Sequence, residues 1–126
     1  MKTRPTVVDL FSGVGGLSLG FEQAGFDVVA AVEIDPIHAA AHKYNFPECT
    51  VLPKSISDVS GDEIKEATSG RSIAVIVGGA PCQGFSLIGQ RALDDPRNSL
   101  VKDYIRIVSE LRPRFFVFGL LGDAVD

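Results

Sequence analysis

Two glycine-containing segments carry the residues that could do chemistry. The first, residues 9–16, reads Asp-Leu-Phe-Ser-Gly-Val-Gly-Gly and stands between a β-branched apolar stretch and a helical one. Glycine lets a backbone turn tightly and approach a ligand closely, because it takes positive φ angles without steric cost. Glu33 follows about 20 residues later, at the end of the next apolar stretch, where a carboxylate can accept hydrogen bonds from ribose hydroxyls. Together the glycines and Glu33 predict a site for an adenosine-containing cofactor.

The glycine segment does not by itself identify that cofactor. The dinucleotide-binding pattern needs a third glycine where this chain has Ser18. The glycines alone could form a tight strand-to-helix turn, and Glu33 alone could be a solvated strand end. Their joint spacing favours binding, and a nicotinamide cofactor stays open at this point.

The second segment, residues 78–86, reads Gly-Gly-Ala-Pro-Cys-Gln-Gly-Phe-Ser and follows an apolar stretch typical of a buried strand. Cys82 is a candidate nucleophile, since Pro81 fixes the approach of the chain and the glycines keep the surroundings open. A cysteine attacks as its thiolate, so nearby positive charge would favour the reaction. A single loop cysteine is more often inert than catalytic, and the residue pattern alone leaves both interpretations open.

Strands and helices must alternate along the chain to position these loops. Continuous apolar or β-branched runs predict strands at residues 6–11, 28–33, 49–52, 73–77 and 115–118. Helical spacing and capping residues predict helices at residues 17–24 and 37–44, a brief one after Ser60, and a longer one over 100–111. Asp35 and Pro36 are expected as the N-cap and first position of the second helix.

This alternation predicts an α/β fold in one domain, residues 1–126, with a doubly wound, mostly parallel sheet in the strand order 3-2-1-4-5. Ligands bind such sheets outside the carboxyl ends of the strands, where the order reverses. The loops after strands 1 and 4 are therefore expected side by side.

Composition and charge exclude several classes of protein. A net charge of −4 argues against a stand-alone nucleic-acid binder, although residues 82–114 hold six basic side chains against four acidic ones. Two cysteines without a CxxC pair or a Cys/His cluster exclude a disulfide framework and predict no metal site. The N-terminus lacks the apolar segment of a signal peptide, and no run reaches transmembrane length. These features predict a cytoplasmic protein.

Residues 9–16, followed by Pro81-Cys82-Gln83-Gly84-Phe85-Ser86, resemble the cytosine-C5 DNA methyltransferase family, bacterial modification methylases included. The cysteine motif is highly specific, and the resemblance extends from about residue 6 to Phe118. It implies a Rossmann-like methyltransferase fold with S-adenosyl-L-methionine as cofactor and S-adenosyl-L-homocysteine as product. The residues that it places around the cofactor are Phe11, Gly13, Gly15, Gly16, Leu17, Glu33 on the ribose, Ile34 on the adenine, Asp58 on the exocyclic amine, and Pro81.

The resemblance also assigns the chemistry and the partners. Cys82 would add to C6 of cytosine and make C5 nucleophilic, a covalent route around a difficult methyl transfer. The base must first be flipped out of duplex DNA. Gln83, Ser86 and Arg97 would lie in the loop that closes over the DNA, although Arg97 could equally be a surface residue near a helix start.

The chain departs from the family pattern at Gly119. The family carries Glu-Asn-Val there, and its glutamate contacts N3 of cytosine, whereas this chain reads Gly-Leu-Leu. A later arginine-containing strand motif, the target recognition domain and a C-terminal helix are also expected but not found. We therefore expect the N-terminal part of a methyltransferase that is inactive alone, either a remnant or one subunit of a split enzyme with a complementary C-terminal subunit.

Three other functions remain open from the sequence. The chain could be a non-catalytic module that binds an adenosyl ligand. It could be part of a nicotinamide-dependent oxidoreductase, which the glycine segment allows but the cysteine motif does not explain. It could also be a tRNA methyltransferase of the same family, although the Cys-Gln-Gly-Phe-Ser form is more similar to the DNA enzymes.

Overall fold

The computed structural model describes residues 3–81 and 99–121, which form a parallel sheet covered by helices. The strands of these residues are β1 (Thr6–Leu10), β2 (Asp27–Val32), β3 (Thr50–Leu52), β4 (Val75–Pro81) and β5 (Phe115–Leu121). The helices are α1 (Gly16–Gln23), α2 (Pro36–Asn45), α3 (Gly61–Ala67) and α4 (Ser99–Leu111), with a short 3-10 helix at Ile56–Asp58. Within this part of the chain, no helix combines the length and apolarity needed to cross a membrane.

The sheet has the order β3-β2-β1-β4-β5, and every neighbouring pair is parallel. This confirms the predicted α/β fold and strand order. β1 is central, and Leu10 at its carboxyl end pairs with Gly78 of β4. The segments that follow β1 and β4 therefore leave the sheet from the same edge, as the doubly wound topology requires.

The sheet buries apolar side chains on both faces because strand residues alternate in direction. On the face covered by α3 and α4, the core includes Val8, Leu10, Ile64, Tyr104 and Ile107. On the opposite face, the core includes Val7, Val28, Ala31, Phe46 and Cys49, with Phe21 of α1 packed against it. The two layers of helices hold the sheet's carboxyl edge in a fixed position.

Helix α2 begins as its sequence predicts. The Asp35 carboxylate accepts hydrogen bonds from the backbone amides of Ile37 (2.8 Å) and His38 (3.2 Å), and Pro36 occupies the first helical position. Such a cap satisfies amides that have no partner inside the helix. The start of α2, directly after Glu33, is thus firmly defined.

Strand β4 is longer than the sequence suggests. Residues 78–81 were expected in a loop because Gly-Gly-Ala-Pro is typical of turns. They continue the strand instead, since they pair with residues 118–121 of β5. That pairing joins segments about 40 residues apart, which no local pattern reveals. The segment after β4 therefore starts further beyond the end of β1 than expected.

Candidate functional site

The segment between β1 and α1 turns sharply at the carboxyl edge of the sheet. Three of its residues have positive φ: Phe11 (59°), Gly13 (56°) and Gly15 (111°). Glycine adopts these angles freely, but a side-chain-bearing residue such as Phe11 is strained there. Such strain clusters at functional sites, where the surrounding structure maintains it. We call residues 11–16 the glycine loop.

Glu33, at the end of β2, is bound to the glycine loop. Its Oε1 accepts a hydrogen bond from the Gly13 amide at 2.8 Å, and its Oε2 accepts one from the Asp35 amide at 2.9 Å. The carboxylate thus joins the glycine loop to the start of α2. Each oxygen keeps a further lone pair that a ligand hydroxyl could use. The sequence placed Glu33 beside the glycines, and the structure brings them into contact.

Helix α2 forms the support beneath the glycine loop. The Asn45 side-chain amide donates to the Val14 carbonyl at 3.0 Å. A Cβ atom at Gly15 would overlap the ring of Phe46 and lie 3.1 Å from Cδ2 of His42. Position 15 therefore requires glycine for space as well as for its φ angle. Sequence reasoning missed Asn45, His42 and Phe46, which contact the loop only after α2 packs against it.

Above this support, the site presents open backbone and apolar surface. A Cβ atom at Gly13 or Gly16 would meet no heavy atom of residues 3–81 or 99–121 within 4 Å. Leu17 and Ile34 are 42% and 66% exposed, although both are apolar. Exposed apolar side chains beside accessible backbone are typical of a small-molecule site.

Asp58 lies at the same edge of the sheet but further along it. It ends the 3-10 helix that follows β3, and its residue is exposed. The Glu33 amide donates to the Leu52 carbonyl at the end of β3 (3.1 Å), so the ends of β2 and β3 are adjacent. The parallel topology therefore brings Asp58, Glu33 and the glycine loop to one edge.

The cysteine segment begins at this edge as well. Pro81 ends β4, whose neighbour in the sheet is β1. Cys82, Gln83, Ser86 and Arg97 lie outside the described residues. Gly78 is closely packed, since a Cβ atom there would lie 2.8 Å from Cε2 of Tyr104. Tyr104 thereby fixes the last part of β4, with its hydroxyl 3.0 Å from the Ile76 carbonyl and 2.8 Å from that of Val117.

A buried polar group lies behind the glycine loop, and sequence reasoning missed it. The Ser18 hydroxyl is 2.6 Å from Oδ2 of Asp9 and 2.9 Å from Nε2 of His42. Burial raises the pKa of Asp9 to about 7, against the lowering effect of the Ser18 hydrogen bond, and the nearby Glu33 carboxylate raises it further. Burial lowers the pKa of His42, which Glu33 partly opposes. One sequence signal was available, namely an aspartate inside an apolar strand.

Cys49 is the cysteine that lies within the described part of the chain. Cys49 is buried, and burial raises the pKa of its thiol to about 12. Its thiolate is therefore almost absent at neutral pH, which makes Cys49 a structural residue.

The fold matches that of methyltransferases. The C-5 cytosine-specific DNA methylase family matches residues 5–119, and the chain belongs to that family. It is 64% identical over 118 residues to the type II methyltransferase M.XorII of Xanthomonas oryzae pv. oryzae and 44% identical over 115 residues to M1.HphI of Haemophilus parahaemolyticus. These matches cover 92% and 89% of the chain.

Solved structures agree with this assignment. A prophage-encoded protein of E. coli, named as a candidate DNA modification methyltransferase, superposes with a TM-score of 0.80 at 43% identity and covers 97% of the chain. The DNMT2 protein of Spodoptera frugiperda superposes with a TM-score of 0.62 at 27% identity over 85% of the chain.

The chain spans only part of these relatives. It covers 28% of M.XorII, 31% of M1.HphI, 33% of the E. coli structure and 32% of the DNMT2 structure.

Proposed function

We propose that residues 1–126 are the cofactor-binding N-terminal part of a cytosine-C5 DNA methyltransferase, with the target recognition domain outside them. The complete enzyme would transfer a methyl group from S-adenosyl-L-methionine to C5 of cytosine in duplex DNA. The observation that carries this proposal is the bond between Glu33 and Gly13, which holds a strained glycine loop beside the end of β4. A chain segment that leads to Cys82 leaves from that same end.

The residues present fit this cofactor. Glu33 offers carboxylate lone pairs to ribose hydroxyls, and the exposed Ile34 offers an apolar surface to adenine. Asp58 would accept from the exocyclic amine of adenine. The residues proposed to line the methionine side are Phe11, Gly13, Gly15, Gly16, Leu17 and Pro81. When bound, the cofactor supplies an electrophilic methyl group on a sulfonium sulfur.

Cys82 is the proposed nucleophile. Its thiolate would form a bond to C6 of a flipped cytosine, which raises the electron density at C5 and makes that carbon reactive. C5 would then form a bond to the methyl group of the cofactor, whose sulfur would keep the electron pair of the broken S–CH3 bond. A base would remove the C5 proton, the freed electron pair would re-form the C5–C6 double bond, and the thiolate would leave C6. Gln83, Ser86 and Arg97 would contact the DNA from the loop that carries the cysteine.

In this proposal, Gly119 is the reason that the chain alone cannot methylate DNA. It pairs with Gly79 in the β4–β5 ladder, near the end that leads to Cys82. Without an acid at this position, nothing in residues 1–126 is assigned to N3 of cytosine during thiolate addition. The chain alone would bind the cofactor and not methylate DNA.

Titration calorimetry with S-adenosyl-L-homocysteine tests the cofactor assignment. We expect weak but measurable binding, because residues that would bury the ligand in the longer relatives are not part of this chain. NAD is the control ligand, since the glycine loop alone would allow it. Tighter binding of NAD than of S-adenosyl-L-homocysteine or S-adenosyl-L-methionine would overturn the assignment.

A second candidate role is that of one subunit of a split methyltransferase. Phe115, Phe116 and Val117 of β5 are 69%, 60% and 48% exposed, and no described strand pairs with the outer edge of β5. Such an edge favours a partner that continues the sheet. Mixing the chain with the C-terminal part of M.XorII tests this role. A stable complex on size-exclusion chromatography supports it, and two separate peaks would leave the remnant as the better description.

A further inference from the structure

Three polar residues from three different elements meet in the core behind the glycine loop. Asp9 lies on β1, Ser18 on α1 and His42 on α2, and they are 1%, 0% and 0% exposed. Ser18 Oγ is 2.6 Å from Asp9 Oδ2 and 2.9 Å from His42 Nε2. Buried polar side chains destabilise a core unless they are hydrogen-bonded, so these three side chains must serve as hydrogen-bond partners for one another. We call these residues the polar triplet.

The two hydrogen bonds of the polar triplet run in one direction, from His42 through Ser18 to Asp9. The Ser18 hydroxyl holds one proton, which it donates to the Asp9 carboxylate in the ionised state. His42 must then carry its proton on Nε2 and donate it to Ser18 Oγ. That leaves two buried atoms without partners in the described residues, Asp9 Oδ1 and His42 Nδ1. Both are acceptors in this arrangement, and an unpaired acceptor is tolerated better than an unpaired donor.

The polar triplet is connected to the glycine loop by direct contact. The His42 ring packs on that of Phe46, with ring centroids 4.7 Å apart. A Cβ atom at Gly15 would overlap the Phe46 ring and lie 3.1 Å from Cδ2 of His42, so the loop backbone packs closely on both rings. Ser18 belongs to the first turn of α1, for which Gly15 is the N-cap. A shift of His42 or Ser18 therefore shifts the backbone that the cofactor would approach.

We propose that Ser18 and His42 are positioning residues for the cofactor, which hold the glycine loop through their mutual hydrogen bond and through Asp9. This inference rests on the proposed function for the identity of the ligand. Neither residue reaches the open side of the loop, since both are fully buried. They act through Gly15 and α1 rather than by contact with the ligand.

Two substitutions at one position separate the hydrogen bond from the ring. His42→Gln keeps a donor at the position of Nε2 and loses the aromatic ring, whereas His42→Phe keeps a ring and loses the donor. His38→Gln and His38→Phe are matched controls, because His38 lies on the same helix but is exposed. The first readout is the dissociation constant of S-adenosyl-L-homocysteine. The second is the hydrogen exchange of the Gly13, Gly15 and Gly16 amides without ligand.

The positioning role predicts a specific ranking of these variants. His42→Phe should weaken binding about tenfold and speed exchange of the loop amides, since a lost buried hydrogen bond costs on the order of 1–2 kcal/mol. The dissociation constant of His42→Gln should stay within about threefold of the wild-type value, and the His38 variants should have the wild-type dissociation constant. Ser18→Ala should behave as His42→Phe does.

The opposite ranking would overturn the inference. If His42→Phe kept its affinity for S-adenosyl-L-homocysteine and His42→Gln lost it, the shape of the ring and not the hydrogen bond would hold the loop. Loss of the fold in both His42 variants, seen by circular dichroism, would also overturn it and make His42 a core residue only. If the wild-type chain binds no S-adenosyl-L-homocysteine, the proposed function fails. The amide exchange still decides the positioning role in that case: equal exchange in both His42 variants and the wild type would refute it.

Discussion

Glu33 Oε1 accepts a hydrogen bond from the backbone amide of Gly13 at 2.8 Å, across the gap between the ends of β2 and β1. A side chain predicted to bind ribose therefore also shapes the loop proposed to bind the rest of the cofactor. Ligand binding and loop conformation are coupled through one carboxylate. The coupling makes Glu33 the most informative position at which to test the site.

Replacement of Glu33 by Gln should weaken binding of S-adenosyl-L-homocysteine by about tenfold or more. The amide keeps one acceptor but places a donor against the amide of Gly13 or Asp35, so one backbone donor loses its partner. Calorimetry measures the change. Glu66→Gln on the exposed side of α3 is the control and should leave the affinity unaltered. An unchanged affinity in Glu33→Gln would show that Glu33 does not take part in cofactor binding.

The two cysteines should differ in reactivity. Cys49 is buried with its pKa raised to about 12, so its alkylation in the folded chain should be slow. Cys82, the proposed nucleophile, should react faster. Brief iodoacetamide treatment followed by peptide mass spectrometry compares them, with the chain in urea as the control in which both should react. Preferential labelling of Cys49 in the folded chain would contradict the prediction.

Replacement of Cys82 by Ser should leave the fold and cofactor binding intact. The residue is placed for chemistry in the proposed mechanism, and a serine keeps its size. Circular dichroism and calorimetry measure the two properties. A loss of either would show that Cys82 has a structural role.

The stability of the chain should carry a pH dependence that originates from Asp9. Its pKa rises from 3.8 in the unfolded chain to about 7 in the fold, so the folded state binds more protons between these values. The contribution of Asp9 to stability is therefore full below pH 4 and is lost as pH rises through 7. From pH 5 to 8 the loss should be about 2 kcal/mol.

Urea denaturation at pH 5 and pH 8 measures this effect as the difference between the wild type and Asp9→Asn. The charge of Asp9 also raises the pKa values of Cys49 and Tyr104, but both groups titrate above pH 8 and so contribute little to this difference. The lowered pKa of His42 acts in the opposite direction, because its stabilising effect is lost as pH falls. Equal pH dependence in the two proteins would show that Asp9 titrates in its ordinary range.

The chain alone should transfer no measurable methyl group to duplex DNA. A tritiated-methyl assay with S-adenosyl-L-methionine and mixed-sequence DNA tests this. The chain lacks an acid at Gly119, and a positioned acid contributes about 10²–10⁴-fold to a rate. Its net charge of −4 also opposes accumulation on phosphate. Incorporation by the chain alone would refute the proposed incompetence.

Gly119→Glu extends the same assay. Among the described residues, a Cβ atom at position 119 would have only the Gly78 carbonyl oxygen nearby, at 4.0 Å, so a glutamate side chain can start there without a clash with them. Mixed with the part of M.XorII that follows the segment aligned with this chain, the variant should be about 10²-fold more active than the wild-type mixture. Equal activity of the two mixtures would mean that position 119 does not serve cytosine N3.

The sequence allowed most of the fold to be predicted, because apolar runs and capping residues are local signals. The strand order and the N-cap at Asp35 were predicted correctly on that basis. The extension of β4 through residues 78–81 was missed, since it depends on pairing with a strand far along the chain.

The candidate site was predictable only where a residue type has few other uses. Glycines at the loop and Glu33 after β2 were predicted to be neighbours, and the structure confirms the contact. The bond between Ser18 and His42 joins residues 24 positions apart, and neither has a distinctive sequence context. Their meeting depends on how α1 and α2 pack on β1, which only the folded chain reveals.

The exposed phenylalanines of β5 affect how readily the chain aggregates or is degraded in a cell. An apolar edge strand is a template on which other strands can assemble, and it is also a surface that chaperones and proteases recognise. Copies whose β5 stays uncovered should precipitate or be degraded, while covered copies persist. For a polypeptide of residues 1–126 alone, abundance should therefore follow the abundance of the partner that covers β5, even if the cofactor site is intact.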